Sequence, residues 1–453
     1  MSAGGSASSV LAQYASGLSF EDLPAGIVAR ARDCVIDTVA AAIHGHQSPA
    51  GRIVANLGFA SATGGAFCAI LGAAPDAPLL GAEQAALVNG TLAHALELDS
   101  LRRPGAGVHP GAVLVPAVVA IAQEEDLSGR AALTAIVAGC EVLFRIGRAT
   151  RHSAETRGFH APGLTGPFGA AVACGHLLGL SAGEMTNAMG IAGSLGGGLL
   201  AFAVAGGGMV KRLHLGRAAA AGVLAARLAQ RGFTGPSTVL DGIHGFLDAY
   251  CEEKDVPSLT AGLGAEFETM RICFKSYACH ITAHTPVEAI RAMRAQHGFQ
   301  GADVAGVMVE GTPKMAALHA SRRPDDAVAA QYSIAFCVAA ALLRDPADPE
   351  TFTRFSDPDV AALCERVEVA GSGGFASPWA TRTTVRLYDG RCFSAEVDQV
   401  PGFPDRPFSA VELRRKFIAL SAALGPGAAP LFERLQRLED ETSLRWLRAP
   451  RHS

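Results

Sequence analysis

A chain of 453 residues is longer than one core ordinarily fills, so two or three domains are expected. Hydrophobic residues make up 49% and charged residues 18%, so much surface must be buried, some of it in an oligomer. The formal net charge is −4 and no block of five like charges occurs, which argues against a nucleic-acid partner or a membrane surface.

In chain order, the first half reads as helices. Ser19-Phe20-Glu21-Asp22-Leu23-Pro24 is a helix start, with acids in the first turn and an early Pro. Val28, Ala31, Val35, Val39 and Ala42 then keep one apolar face at helical spacing. Further helices are predicted over Glu83–Leu98, Pro110–Gln123, Ser128–Arg145, Gly166–Leu178, Ser181–Ala192 and Leu213–Gln230. They are Ala-rich and largely apolar, so they pack on several sides, as in a helical core domain rather than a doubly wound sheet. Gly190–Val210 carries no charge, but the clusters Gly196-Gly197-Gly198 and Gly206-Gly207-Gly208 break it as a helix. It is read as a buried helix end followed by a loop whose backbone approaches something closely, not as a membrane span.

The texture changes near residue 270. Asp303–Glu310 alternates as a strand does, and Arg366–Val369 is a second candidate. Thr383–Leu387, Tyr388-Asp389-Gly390 and Cys392–Val397 read as a β-hairpin, with helices at His284–Gln296 and Ala327–Leu343 between the strands. Ser409–Leu447 returns to amphipathic helix. The expected fold is therefore mainly α with a smaller α+β domain. Residues 1–268 form the helical domain, 269–404 the α+β domain, and 405–453 helices that return to the first. Ten scattered cysteines, none in a CxxC pair, fit a reducing cytoplasm, and Met1–Val10 lacks the basic and apolar regions of a signal peptide.

Several polar residues interrupt apolar surroundings. His94, Glu97 and Asp99 follow Asn89-Gly90-Thr91; on a helix His94 and Glu97 share a face and Asp99 does not. His109 precedes Pro110-Gly111 and opens an apolar helix, which places an imidazole or a bound carboxylate at a helix N-terminus. His160 lies between Gly158-Phe159 and Ala161-Pro162-Gly163; a lone His is more often a satisfied core group, and the flanking Gly and Pro bring the catalytic reading level with it. Lys211-Arg212-Leu213-His214 closes the Gly-rich stretch, a setting that suits an anionic ligand and equally a plain helix N-terminus. His280 and His284 stand at i and i+4 with Cys279 adjacent, so a metal site must be weighed. The Glu of the zinc-protease motif is missing, and Lys275 with His280 is read instead as anion binder and proton carrier. Dinucleotide, P-loop and nucleophile-elbow motifs are absent, so no cofactor and no metal is expected. The inventory of His, Lys and a few acids suits proton transfer at an anionic substrate.

NGTLAHALELDS, HPGAV, GFHAPG, the Gly loop ending in Lys211, KSYACHITAH and Gln331-Tyr332 occur in that order. Together they resemble the MmgE/PrpD family over about residues 10 to 445. The resemblance implies a homodimer whose site lies in the cleft between a helical and an α+β domain. Carried over by position, that site comprises Glu97, His109, His160, Lys211, Lys275, His280 and Tyr332. Two departures stand out. The family's dehydratases and decarboxylases commonly read Asp-Phe-Asp-Asp-Thr where this chain has Glu97-Leu98-Asp99-Ser100-Leu101, and the following loop brings Arg102 and Arg103. The implied activity is proton abstraction next to a carboxylate of a small di- or tricarboxylic acid. Glu97, His109, His160, Lys275 and His280 would be catalytic, while Lys211, Tyr332, Asp99 and Arg103 would bind substrate. The departures tilt the reading toward an iminodisuccinate epimerase-like enzyme. The alternatives are a 2-methylcitrate dehydratase-type or cis-aconitate decarboxylase-type lyase, and a non-catalytic helical dimer.

Overall fold

The computed structural model describes residues 5–105, 107–203, 208–375 and 377–447. Its first part is a bundle of the helices Ala7–Gly17, Ala25–Gly45, Pro49–Ala60, Ala82–Ala93, Pro110–Glu124, Gly129–Ala149, Ala161–Leu177, Ala182–Gly193 and Val210–Gln230. Helix Val210–Gln230 packs on Ala82–Ala93 and Ala161–Leu177. Small residues make this approach possible. A Cβ on Gly216 would stand 2.1 Å from the Leu87 carbonyl oxygen, and one on Gly222 would stand 2.2 Å from the Ala170 Cβ. The Ala and Gly content is thus a packing requirement: large side chains would hold the backbones apart and leave voids. Among the described residues no helix is long and apolar enough to cross a membrane.

The second part contains a four-stranded sheet. Strands β1 (Leu101–Arg102) and β2 (Ile272–Cys273) form a separate antiparallel ribbon. Strands β3 (Val304–Gly311), β4 (Val367–Gly371), β5 (Thr381–Leu387) and β6 (Cys392–Val397) take the order β4-β3-β5-β6. β3 is parallel to β4 and antiparallel to β5, and β5 and β6 form the expected hairpin. Helices Ala410–Leu420 and Ala428–Leu435 lie back on helix Ala25–Gly45. There Lys416 Nζ pairs with buried Asp37 and donates to the Leu98 carbonyl. Nine of the ten free cysteines are buried, and Cys392 is exposed.

Three predicted elements come out differently. The acids Glu21 and Asp22 belong to a separate 3-10 turn, closed by a Ser19–Asp22 capping box, and the helix starts at Ala25 after Pro24. The helix predicted at Ala327–Leu343 is split into Ala327–Tyr332 and Ile334–Leu343, because Ser333 is extended and caps the second half. The helix predicted through Leu98 ends at Ala93, since Glu97 takes φ +57°. A left-handed non-Gly residue cannot continue a helix and is held only where its surroundings over-determine it.

Candidate active site

The site is assembled from element ends. His94 is the C-cap of helix Ala82–Ala93. His109 and His160 are the N-caps of helices Pro110–Glu124 and Ala161–Leu177, each with Pro in the first turn. Lys211 lies in the first turn of helix Val210–Gln230, and Tyr332 ends helix Ala327–Tyr332. The β1–β2 ribbon pairs Leu101 with Cys273 and Arg102 with Ile272, which ties the loop carrying Glu97 to the loop carrying Lys275 and His280. Gln331 adds a second tie. Its Nε2 donates to Leu96 O at 3.1 Å and Ala278 O at 2.9 Å, and its carbonyl accepts from His280 N at 2.8 Å.

Glu97 is the electrostatic centre. Its Oε2 accepts from Lys275 Nζ at 3.0 Å, its Oε1 contacts Lys211 Nζ, and His94 Nε2 stands 3.7 Å from the same oxygen. All four side chains are at most 4% exposed. Burial pushes Lys275 below the ordinary lysine value and Lys211 well below it, the Lys211 shift deepened by Lys275. Asp99 is the foremost charge opposing the Lys275 shift, and the Glu97 carboxylate is the group in direct contact with both lysines. Asp99 sits beneath this cluster. His94 Nδ1 donates to its Oδ1 at 2.7 Å and His109 Nδ1 to its Oδ2 at 2.8 Å. Burial alone would raise the Asp99 carboxyl, but the two imidazoles hold it well below the usual carboxylate range. Burial drives His94 down to about 3, so a neutral imidazole donates from Nδ1 and keeps its Nε2 lone pair toward Glu97.

His160 Nδ1 lies 3.0 Å from His214 Nδ1, and its ring is 6.5 Å from that of His94. Burial and neighbouring imidazoles push His160 well below the ordinary histidine value. His280 Nδ1 bonds Thr282 Oγ1 at 2.8 Å, and its ring lies 4.6 Å from His319 and 4.5 Å from Tyr332. The Lys211 ammonium stands 4.8 Å from the Tyr332 ring centre, a cation–π contact. A continuous chain of contacts thus runs from His109 through Asp99, His94, Glu97, Lys211 and Tyr332 to His280, with Lys275 on Glu97 and His160 beside His94.

Two assignments change. Asp99 is not placed as a substrate contact: it is fully buried and both its oxygens are taken by imidazoles, so it orients His94 and His109. Arg103 does not reach the cluster. Its guanidinium lies 3.6 Å over the Phe403 ring and donates to Asp398 O at 3.3 Å. Arg102 is likewise committed, to Glu268 at 2.8 Å. His280 and His284 do not converge either, because His284 opens its own helix and faces Cys279 O and Tyr277. Gly206 and Gly207 lie outside the described residues, and neighbouring Gly208 has φ +57°.

A model of the MmgE/PrpD N-terminal domain matches residues 9–259, and one of the MmgE/PrpD C-terminal domain matches residues 277–437. The chain belongs to the MmgE/PrpD family. The C-terminal family domain takes in the helices Ala410–Leu420 and Ala428–Leu435 that lie back on the first bundle. The chain is similar to cis-aconitate decarboxylase of Aspergillus terreus, at 28% identity over 92% of this chain and 89% of that protein. It is similar to the cis-aconitate decarboxylase-like protein oryM of Aspergillus oryzae, at 29% identity over 96% and 94%. Cis-aconitate decarboxylase of Mus musculus matches at 28% identity over 81% and 78%.

His94, His214 and Gln331 stand in segments singled out from the sequence but were given no role there, and His319 was not named; all four take part in this MmgE/PrpD site. His214 was accessible, since it lies one helical turn from Lys211 on the same face. His319 carries no local signal.

Two expectations follow. The donor atoms of His94, Asp99 and His109 lie within 4.8 Å of one another, a set that suits a metal ion. They are already joined by two imidazole–carboxylate hydrogen bonds, and a nitrogen that donates a proton has no lone pair for an ion. Turnover should therefore survive exhaustive EDTA treatment; loss of activity restored by added zinc or iron would overturn this. The second concerns acid. His94 and His160 stay neutral in the fold, whereas in the unfolded chain they take up a proton near the ordinary value of 6.5. The unfolded state therefore binds more protons below that pH, and stability falls by about 1.4 kcal/mol per pH unit for each imidazole. Melting temperature should drop between pH 6.5 and 4.5, and replacing His94 by Gln should flatten the slope; a flat wild-type profile would count against neutral buried imidazoles.

Proposed function

We propose that this chain is a lyase that removes CO2 from a small unsaturated polycarboxylate, with cis-aconitate as the first substrate to test. The observation that carries the reading is the buried pairing of Lys211 and Lys275 on Glu97, ringed by imidazoles that burial keeps neutral. The names of the relatives support a lyase over the epimerase favoured by the sequence departures. In this reading the substrate carboxylates share the two ammonium groups with Glu97. One C–C bond breaks, CO2 leaves, and the electron pair stays on carbon, where the ammonium groups stabilise the developing charge. A neutral imidazole, which we assign to His160, then supplies the proton. Glu97 in place of Asp brings the carboxylate one methylene further between the lysines, so a related diacid or triacid remains in the substrate panel.

We further read the chain as a cytoplasmic homodimer. The cytoplasm rests on ten free cysteines, and the dimer on family resemblance and on Ile53 and Leu57, one turn apart on helix Pro49–Ala60 and 61% and 59% exposed. Light scattering should give twice the chain mass.

The test of the chemistry is NMR of carbon-13-labelled cis-aconitate with the purified protein in heavy water. The expected result is release of labelled CO2 and a product carrying one solvent-derived deuterium. Untouched cis-aconitate, with deuterium entering a diacid that inverts its configuration, would return the epimerase. No change across a panel of di- and tricarboxylates would sink the enzymatic reading.

A further inference from the structure

Decarboxylation consumes one proton per turnover, because the carbanion left by CO2 must be protonated. A buried, neutral His160 holds one such proton and needs a route by which to recover it. The only imidazole nitrogen within hydrogen-bond distance of His160 among the described residues is His214 Nδ1, at 3.0 Å. His214, itself 8% exposed, lies on helix Val210–Gln230 against the outer loop at 197–199, where Leu199 is 60% exposed; Arg217, on the same helix, is exposed. The contact is built closely. Gly198 donates no side chain, takes φ +150°, and a Cβ there would stand 3.1 Å from His214 Nδ1. Its carbonyl accepts from His160 N at 3.0 Å, and Gly197 N donates to Gly163 O at 3.0 Å. The charged groups facing His214 are Lys211 and Arg217 from its own helix, and the facing titratable group from elsewhere is His160.

We propose that His214 is a positioning residue for His160 that also passes protons to it, so that the two imidazoles form a relay from the outer loop to the reacting carbon. The inference rests on the decarboxylase reading for its chemistry, while the pair itself does not. An Nδ1–Nδ1 contact between neutral imidazoles holds one proton, so the two rings carry complementary tautomers. With His214 as donor, His160 bears its own proton on Nε2 and is set as an acid. When the carbanion takes that proton, the His214 Nδ1 proton moves to His160 Nδ1, and water supplies one to His214 Nε2. One solvent proton is consumed, and the pair is left in the opposite tautomers, which further exchange with water resets.

The experiment has two arms. Nitrogen-15 histidine spectra of the unliganded protein should show complementary Nδ1 protonation of His160 and His214, with a shared proton that is lost in His214→Phe. Absence of that coupling overturns the proposal whatever the activity. In the second arm, His214→Asn keeps an amide near the Nδ1 position but cannot relay. With cis-aconitate its kcat should fall at least about tenfold, KM should stay within about twofold, and imidazole in the buffer should restore part of the rate. A His214→Asn kcat within about twofold of wild type, at unchanged melting temperature, would overturn the relay. If the wild-type protein leaves cis-aconitate untouched while the shared proton is present, the decarboxylase reading fails and the positioning of His160 stands.

Discussion

Asp99→Asn should lower turnover by about 10²- to 10⁴-fold, the range by which positioned acid–base groups accelerate reactions. The carboxylate accepts one N–H from His94 and one from His109. An amide of the same shape offers one acceptor oxygen and one NH2 donor. One of the two imidazoles must then turn its ring or shift its proton from Nδ1 to Nε2. The nitrogen that faced the site with a lone pair then faces it with a hydrogen, which is the wrong tautomer for a proton acceptor. Weakened charge-assisted hydrogen bonds add a stability loss of about 1.5–3 kcal/mol. The measurement is kcat with the substrate identified in the labelled-substrate screen, alongside a melting curve. Arg103→Ala is the control. It loses the stack on Phe403, so it should melt earlier, yet retain kcat within about threefold because its guanidinium stands outside the cluster. A near-normal rate for Asp99→Asn, or a collapsed rate for Arg103→Ala, would reverse the two assignments.

Glu97→Gln and Lys275→Ala should fail in opposite ways. Glu97 is the carboxylate that contacts both Lys211 and Lys275, and all three side chains are at most 4% exposed. Neutralising it leaves two ammonium groups buried against each other, and breaking a buried pair in this manner costs about 3–5 kcal/mol. Glu97→Gln should therefore melt well below wild type, and a dicarboxylate that brings the missing negative charge should recover part of the loss. Lys275→Ala leaves Glu97 matched with Lys211. Its melting temperature should change less than that of Glu97→Gln, while turnover falls by about 10²- to 10³-fold from loss of a group facing the developing charge. Equal melting temperatures for the two variants would show that Glu97 does not carry the counter-charge. A Lys275→Ala enzyme with unreduced turnover would remove that lysine from the chemistry. From the sequence alone Lys211 and Lys275 are anion binders; the carboxylate between them decides which variant should be fragile.

Local chemistry determined a good deal by itself. Apolar periodicity and Ala-rich composition specify the helical bundle, and alternation with the Tyr388-Asp389-Gly390 turn specifies the β5–β6 hairpin, because both depend on near neighbours along the chain. His109-Pro110 announces a helix N-cap for the same reason, whereas the helix read from Gly166 begins at Ala161 with His160 as its N-cap. Glu97, His109, His160, Lys211, Lys275 and His280 were legible as polar residues set in apolar or Gly- and Pro-marked sequence, and Tyr332 only through the family resemblance. Their mutual geometry was not. Whether Asp99 meets substrate or two imidazoles, whether Arg103 meets a carboxylate or Phe403, and whether His94 joins Glu97 each depend on contacts between distant segments. The left-handed turn at Glu97 is similar: nothing in a Glu favours φ +57°, and only the β1–β2 ribbon, the Gln331 clamps and two lysines from other elements hold it there. Propensity ranks what a residue prefers alone; the tertiary structure imposes the costlier conformation because contacts from several distant segments over-determine it.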